Sequence, residues 1–190
     1  MGGVAARAVG GTELPARAPG QPGDVLVHPQ HGAVVLEAVE TRRVDGRDED
    51  YLVLSVAGDL TIFAPRSSLG EIGLRPPIGR TRAWEVLRTL ASSPSPVPPF
   101  SSREHRELWR TVHSGDPLAV ARVLRDLAAK EAEREGSGRR LSSSERQILL
   151  RATEILASEL AVALPTSRER ATARIAEAIS GIYPDGHPAS

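Results

Sequence analysis

The chain has 190 residues, 24 basic and 24 acidic side chains, and no cysteine. That length suits one large domain or two small ones. The lack of cysteine excludes disulfides, thiolate metal sites and a cysteine nucleophile, and fits a reducing, cytoplasmic setting; no apolar run approaches the roughly 18 residues of a membrane span.

Residues 1–21 are rich in Gly, Ala and Pro and lack periodicity, which predicts a disordered arm. From there to Arg75 the pattern is β. Asp24 to His28 reads as a short strand, Pro29-Gln30-His31-Gly32 as a turn, and Ala33 to Glu40 as a longer strand. Asp45-Gly46 is a hairpin signal, answered by a strand over Tyr51 to Val56. Gly58-Asp59 turns the chain into Leu60 to Ala64, and Gly73-Leu74 predicts a short closing strand. Short strands with tight turns over about fifty residues predict a small SH3-like or Tudor-like barrel at 22–75.

The remainder reads as helix. Arg80 to Leu90 carries apolar residues at helical spacing, and a Pro-rich stretch, Ser92 to Pro99, must then be extended. Ser101 and Glu104 form a capping box, as do Ser142 and Glu145; Asp116-Pro117 is an N-cap with proline at the first helical position. Val120, Val123, Leu124 and Leu127 form one core-facing stripe, and Ile148, Ala152, Ile155, Leu156 and Leu160 another. Arg168 to Ser180 predicts a last short helix. The expected fold is α+β: the barrel, an all-α domain of four to five helices with its domain boundaries at 76–164, and a short helix and tail at 165–190.

The neutral total hides an uneven distribution. Residues 22–75 hold five arginines against nine acids, a net of −4, whereas residues 76–164 hold fourteen basic residues against eleven acids, a net of +3. Only Lys130 is a lysine. A GC-rich genome accounts for much of that arginine bias, although the guanidinium also suits phosphate contact. Such a mild excess permits DNA contact without driving it, so any action on DNA would depend on tethering to a larger complex.

Catalytic signatures are missing. There is no P-loop, no dinucleotide fingerprint and no nucleophile elbow. His28 and His31 have H-x-x-H spacing, but around Pro29 in a turn and without a third ligand, which reads as a metal-free pair. Asp48-Glu49-Asp50 reads as a solvated loop at a hairpin tip, and His105 and His113 as surface or boundary residues of one helix. Neither an enzyme nor a cofactor is expected.

Several stretches, in order, are similar to the CarD/CdnL family of bacterial RNA-polymerase-binding transcription regulators. They are Gly23-Asp24-Val-Leu-Val-His-Pro-Gln-His-Gly32, Glu37-Ala-Val-Glu-Thr-Arg42, Tyr51-Leu-Val-Leu-Ser-Val56 and Gly58-Asp59-Leu-Thr61. In the helical part they are Ser114-Gly-Asp116, Val123-Leu-Arg-Asp-Leu127 and Glu154-Ile-Leu-Ala-Ser-Glu-Leu160. The resemblance spans roughly residues 22–164. The transcription-repair coupling factor has a similar barrel, but it is a long helicase, and this chain lacks helicase motifs.

The resemblance implies a monomeric accessory factor whose barrel docks on the polymerase β subunit. Its helical domain would contact promoter DNA near the upstream bubble edge, where an aromatic wedge hinders collapse of the open complex. Carried over by position, the polymerase-binding residues would be Arg42, Phe63 and Arg66. Phe63 departs from a basic family position, as barrel core or as an apolar docking residue. The DNA-binding residues would be Phe100, Arg103, Arg106 and Arg146. Phe100 as a hydrophobic staple would have only His105 or Arg106 to pack on, which favours an exposed ring; each arginine could equally belong to an ordinary solvated helix face. Trp84 and Trp109 would be core. The alternative is a divergent paralogue, a polymerase-docking adaptor without DNA contact.

Overall fold

The computed structural model describes residues 20–56, 60–95 and 101–181. Four antiparallel strands come first: β1 (Val25–His28), β2 (Gly32–Val44), β3 (Arg47–Val56) and β4 (Thr61–Pro65). They form one meander in the order β1-β2-β3-β4, curled into a half-barrel. Asp45 and Gly46 both take positive φ, 49° and 78°, the combination a two-residue hairpin needs to match strand twist. Inward-facing Leu26, Val34, Leu36, Leu52, Leu54, Val56 and Ala64 make the core of this part.

Two expectations for this region need correction. Asp48-Glu49-Asp50 is strand rather than loop, because the hairpin is longer than its apolar residues suggest. Thr41 and Asp50 share a side-chain hydrogen bond of 2.8 Å across it, and Arg42 pairs with Glu49 in register. Gly73-Leu74 is not a closing strand. A 3₁₀ turn (Arg66–Ser68) leads into a single helical turn, α1 (Leu69–Ile72), which Gly73 ends in the left-handed conformation. Closure comes one residue later, where Arg75 and Val27 exchange backbone hydrogen bonds of 2.8 and 3.2 Å.

The helices are α2 (Arg80–Ala91), α3 (Ser102–Val112), α4 (Pro117–Gly136), α5 (Ser143–Ala163) and α6 (Arg168–Ile179). Both capping boxes form, and Asp116 accepts from the Leu118 amide with Pro117 at the first position. The stripes of α2, α4 and α5 share one core, to which α6 adds Ala171, Ile175 and Ala178. Trp84 and Trp109 are half-buried at its margin rather than inside it. The strand core and the helix core are separate clusters.

Glu145 pins α5 to α4. Its carboxylate closes the Ser142 capping box and lies 2.9 Å from Lys130 and 3.6 Å from Arg134, at 1% exposure. Burial alone would raise its pKa. The bonds from Lys130 and Ser142 prevail and hold it near 2. The opposite case is His28, at the end of β1. Burial, His31 and Arg151 together push its pKa down to about 4. Its Nδ1 accepts the Gln30 amide at 3.0 Å, so the folded ring is neutral.

These two residues give two predictions. Glu145→Gln keeps the length of the side chain but leaves Lys130 without its carboxylate. It should cost about 3 kcal/mol, measured as a lower urea midpoint, and a loss below about 1 kcal/mol would show that Lys130 is solvated instead. For His28, the unfolded ring takes up a proton near pH 6.5 and the folded ring only near 4. The unfolded state therefore binds more protons in that window, and stability should fall by about 2 kcal/mol as pH drops through it. Glu145 adds its own loss only at the acid end, where the unfolded carboxyl takes up a proton near 4.5 and the folded one does not, so the His28 share is read above about pH 5.5. His28→Asn should flatten the dependence; an unchanged pH profile would assign it to other groups.

Candidate functional site

Strand alternation decides which barrel residues face out. On β3, Leu52, Leu54 and Val56 point into the core, so Tyr51, Val53 and Ser55 occupy the opposite face. Phe63 of β4 is opposite Val53 and joins that outer face. It is 43% exposed and does not belong to the barrel core. On β2 a bulge at Glu37 shifts the register, with Leu36 opposite Leu54 but Ala38 opposite Val53. The shift reverses the parity of everything beyond it. Without it Arg42 would lie on the core side; with it, Ala38, Glu40 and Arg42 share the face of Phe63.

The result is a compact cluster. The Arg42 guanidinium sits 3.8 Å from the centre of the Phe63 ring and 5.8 Å from that of Tyr51. It also pairs with Glu40 at 2.8 Å. A cation over an exposed ring contributes about 0.5–1 kcal/mol, and it holds a long side chain upright on the strand. The face presents a positive head on an aromatic base. Arg66 is exposed at the start of the turn that follows β4, and the adjacent Ser67 donates to Glu49 of the hairpin. Arg42 and Phe63 are thus brought together, with Arg66 at the end of the same strand.

On the helical side, Arg103 and Arg106 are exposed along α3, and Arg103 pairs with Glu107 at 3.0 Å. Arg146 is exposed on α5, which packs against α3. One turn beyond it Leu150 is 56% exposed, an apolar side chain left on a polar face. Trp109 is held in place: its Nε1 donates to His105 Nε2 at 2.8 Å, and His113 stacks on its ring at 5.0 Å. Those contacts hold Trp109 against its own helix. Phe100, expected in that role, lies outside the described residues. Polar contacts hold the chain just before that segment. Arg125, only 9% exposed, donates to the hydroxyls of Ser92 and Ser95, and the Asp126 carboxylate accepts from the Ser95 amide at 2.8 Å.

Sequence reasoning missed the junction between the two parts. Arg75 donates to both oxygens of Glu159 on α5 and, through Nε, to the Gly115 carbonyl at 2.9 Å. Ser158 accepts from the Ala33 amide at 3.0 Å, and Arg151 donates to the Gln30 carbonyl. The signal for this was weak: a carboxylate and a serine inside the apolar stripe of α5, with no indication of their partners. His28 and His31 lie beside this junction with ring centres 4.8 Å apart. Among the described residues no group of three or more His, Cys, Asp or Glu is placed to hold a metal, and no helix is long and apolar enough to cross a membrane.

The matches to known families follow this division. Residues 21–78 match the CarD-like/TRCF RID domain, and residues 85–176 match the CarD C-terminal domain. The second match runs through most of α6, in keeping with its place in the helical core. YdeB of Bacillus subtilis (strain 168), named a candidate transcription factor, is 27% identical over 144 residues, which cover 75% of this chain and 90% of that protein. A curled half-barrel and a helical bundle, each matching its own family domain and in the same order, place this chain in the CarD/CdnL family of RNA-polymerase-associated transcription regulators.

Proposed function

We propose that this regulator binds the polymerase β subunit through the outer face of its barrel, by Arg42 and Phe63 with Arg66 alongside. Its helical domain then contacts promoter DNA at the upstream edge of the bubble, through Phe100 and the arginines Arg103, Arg106 and Arg146. It works as a monomer in the cytoplasm, without catalysis. The observation that carries this reading is the Arg42–Phe63 stack on an open strand face. Phe63 stands where relatives of this family carry a basic residue, and the stack explains how the face tolerates the exchange. The ring buttresses Arg42, so one well-held cation and an apolar base replace two cations.

The chemistry at the DNA side is generic. Guanidinium groups hold phosphates without reading bases. An aromatic ring inserted at an opened base step resists restacking. The ring contact is available only when the bubble is open, so the factor binds that state better and shifts its population by the difference in affinity. The helical domain carries a net of only +3, and its hold on DNA is supplemented by the tether through polymerase.

Two substitutions separate the two surfaces. Arg42→Glu should reduce capture of polymerase in a pull-down by about tenfold, since it leaves a carboxylate on an aromatic face beside Glu40. Undiminished capture would remove Arg42 from the interface. Phe100→Ala should leave capture unchanged and shorten the lifetime of the open complex several-fold; an unaltered lifetime would mean that Phe100 is not the wedge. The adaptor alternative, favoured by the loss of the basic residue at Phe63, is distinguished by salt. Three phosphate-contacting arginines give a slope of about −3 in log affinity against log salt, whereas an adaptor without DNA contact gives none beyond that of polymerase docking.

A further inference from the structure

We infer that Arg75, Glu159, Ser158 and Gly32 are positioning residues that lock the barrel and the helical domain into one rigid bracket, so that docking on polymerase presents the helical surface to DNA in a fixed pose. This inference rests on the two-surface reading above.

Among the described residues the two apolar clusters are separate, so no shared core sets the angle between the domains. Apolar contact tolerates sliding, whereas hydrogen bonds have direction. The directional bonds converge on Arg75. Its backbone belongs to the barrel, through the two bonds with Val27 of β1. Its side chain belongs to the helices, with a two-pronged grip on Glu159 of α5 and a third bond to Gly115 in the α3–α4 turn. A planar fork held at three points has little rotational freedom.

Glu159 has a second function. Besides Arg75 it accepts the amide of Ile78 at 3.0 Å, so one carboxylate, 1% exposed, grips the linker on both sides of Pro76-Pro77. Those prolines stiffen the few residues that join the domains. The linker is therefore held along its length and is not a free hinge.

A second bolt lies away from the linker. Ser158, one residue before Glu159, accepts the Ala33 amide at the start of β2 and donates to the Ile155 carbonyl of its own helix. Gly32 makes this approach possible. A Cβ there would overlap the Ser158 hydroxyl and lie 3.6 Å from the Ile155 backbone, and the residue has a φ of 71°. Arg151, two turns earlier on α5, adds its bond to Gln30. The β1–β2 turn is thus held along one side of α5, and the strand that carries Arg42 starts from that turn.

The functional consequence follows from effective concentration. A freely hinged second domain would search a wide volume, and only a small fraction of its orientations would face the bubble edge. A fixed bracket removes that search. Neither bolt is part of the docking or DNA surface, so weakening a bolt should uncouple the surfaces without damaging either one.

The test uses Glu159→Gln in the full chain, with three readouts. The first is polymerase capture. The second is open-complex lifetime. The third is the distance distribution between spin labels on cysteines placed at exposed Glu71 and Ala132, which the cysteine-free chain allows. We expect capture within about twofold of the parent, a broadened distance distribution, and an open-complex effect reduced about fivefold or more. An unbroadened distribution, or a broadened one with full open-complex effect, overturns the inference. If Glu159→Gln does not fold, Ser158→Ala, which removes only a hydroxyl, is read in the same way. The function reading fails separately, if the parent chain has no open-complex effect while its label distances are narrow and broaden in the variant; the inferred coupling then falls with it.

Discussion

A carboxylate in the middle of an apolar helix stripe must be satisfied or it unfolds its surroundings. Glu159 lies at that point on α5, almost wholly buried beside Leu156 and Leu160. Removing it from water is costly, and only a partner with several donors offsets that cost. Arg75 is the partner, reaching in from the last residue of the barrel. A single ion pair therefore settles two structural questions. It permits α5 to run unbroken from Ser143 to Ala163, and it fixes where the barrel rests on that helix. The backbone of Arg75 also closes the barrel by pairing with Val27, so closure and docking of the two parts depend on the same residue.

Outward from that junction, the barrel depends on parity. β2 starts at the junction, with Gly32 and Ala33 against Ser158, and ends at the exposed hairpin. Its first half must put Val34 and Leu36 into the core. Its second half must put Arg42 on the opposite face. No regular strand can do both, because residues two apart share a face. The extra residue at Glu37 resolves the conflict. The bulge is thus as much a part of the candidate docking surface as Arg42 itself, though its side chain touches none of it.

Local signals in the sequence were legible, and long-range ones were not. Ser101 with Glu104, Ser142 with Glu145, and Asp116 with Pro117 state their helix starts within four residues, and all three form as expected. The Asp45-Gly46 turn is equally local. The misread segments are those decided elsewhere. Asp48-Glu49-Asp50 looks like a loop by composition, yet is drawn into strand by pairing with Thr41 to Arg43 across the hairpin. Gly73-Leu74 looks like a strand, but Gly73 ends a helical turn and Arg75 takes the pairing role. Trp84 and Trp109 read as core from spacing, yet each is large enough to stop at the margin, where Arg174 and the His105–His113 pair cover them. The Arg75–Glu159 pair, 84 residues apart, leaves no periodic trace. Of the site, the identity of Arg42 was readable by resemblance, whereas its contact with Phe63 required the register.

The charge balance takes on a different meaning once the junction is known. The net of −4 on residues 22–75 and of +3 on 76–164, brought to zero by the +1 of residues 1–21, do not belong to two independent domains. Joined through the Arg75–Glu159 pair, they form a dipolar body. An acidic body is repelled by DNA phosphates at long range, within the reach set by salt. The barrel therefore opposes approach to DNA on its own, and the mild positive charge of the helices cannot overcome that repulsion alone. On polymerase the balance changes. In the proposed docked pose the barrel would face protein, with its charge shielded from the duplex, and the helical side would be left toward the phosphates. In the proposed complex, such a polarised chain would favour DNA already engaged by polymerase over free DNA. That is the specificity the proposed role requires, and it would come from how charge is divided between the two parts.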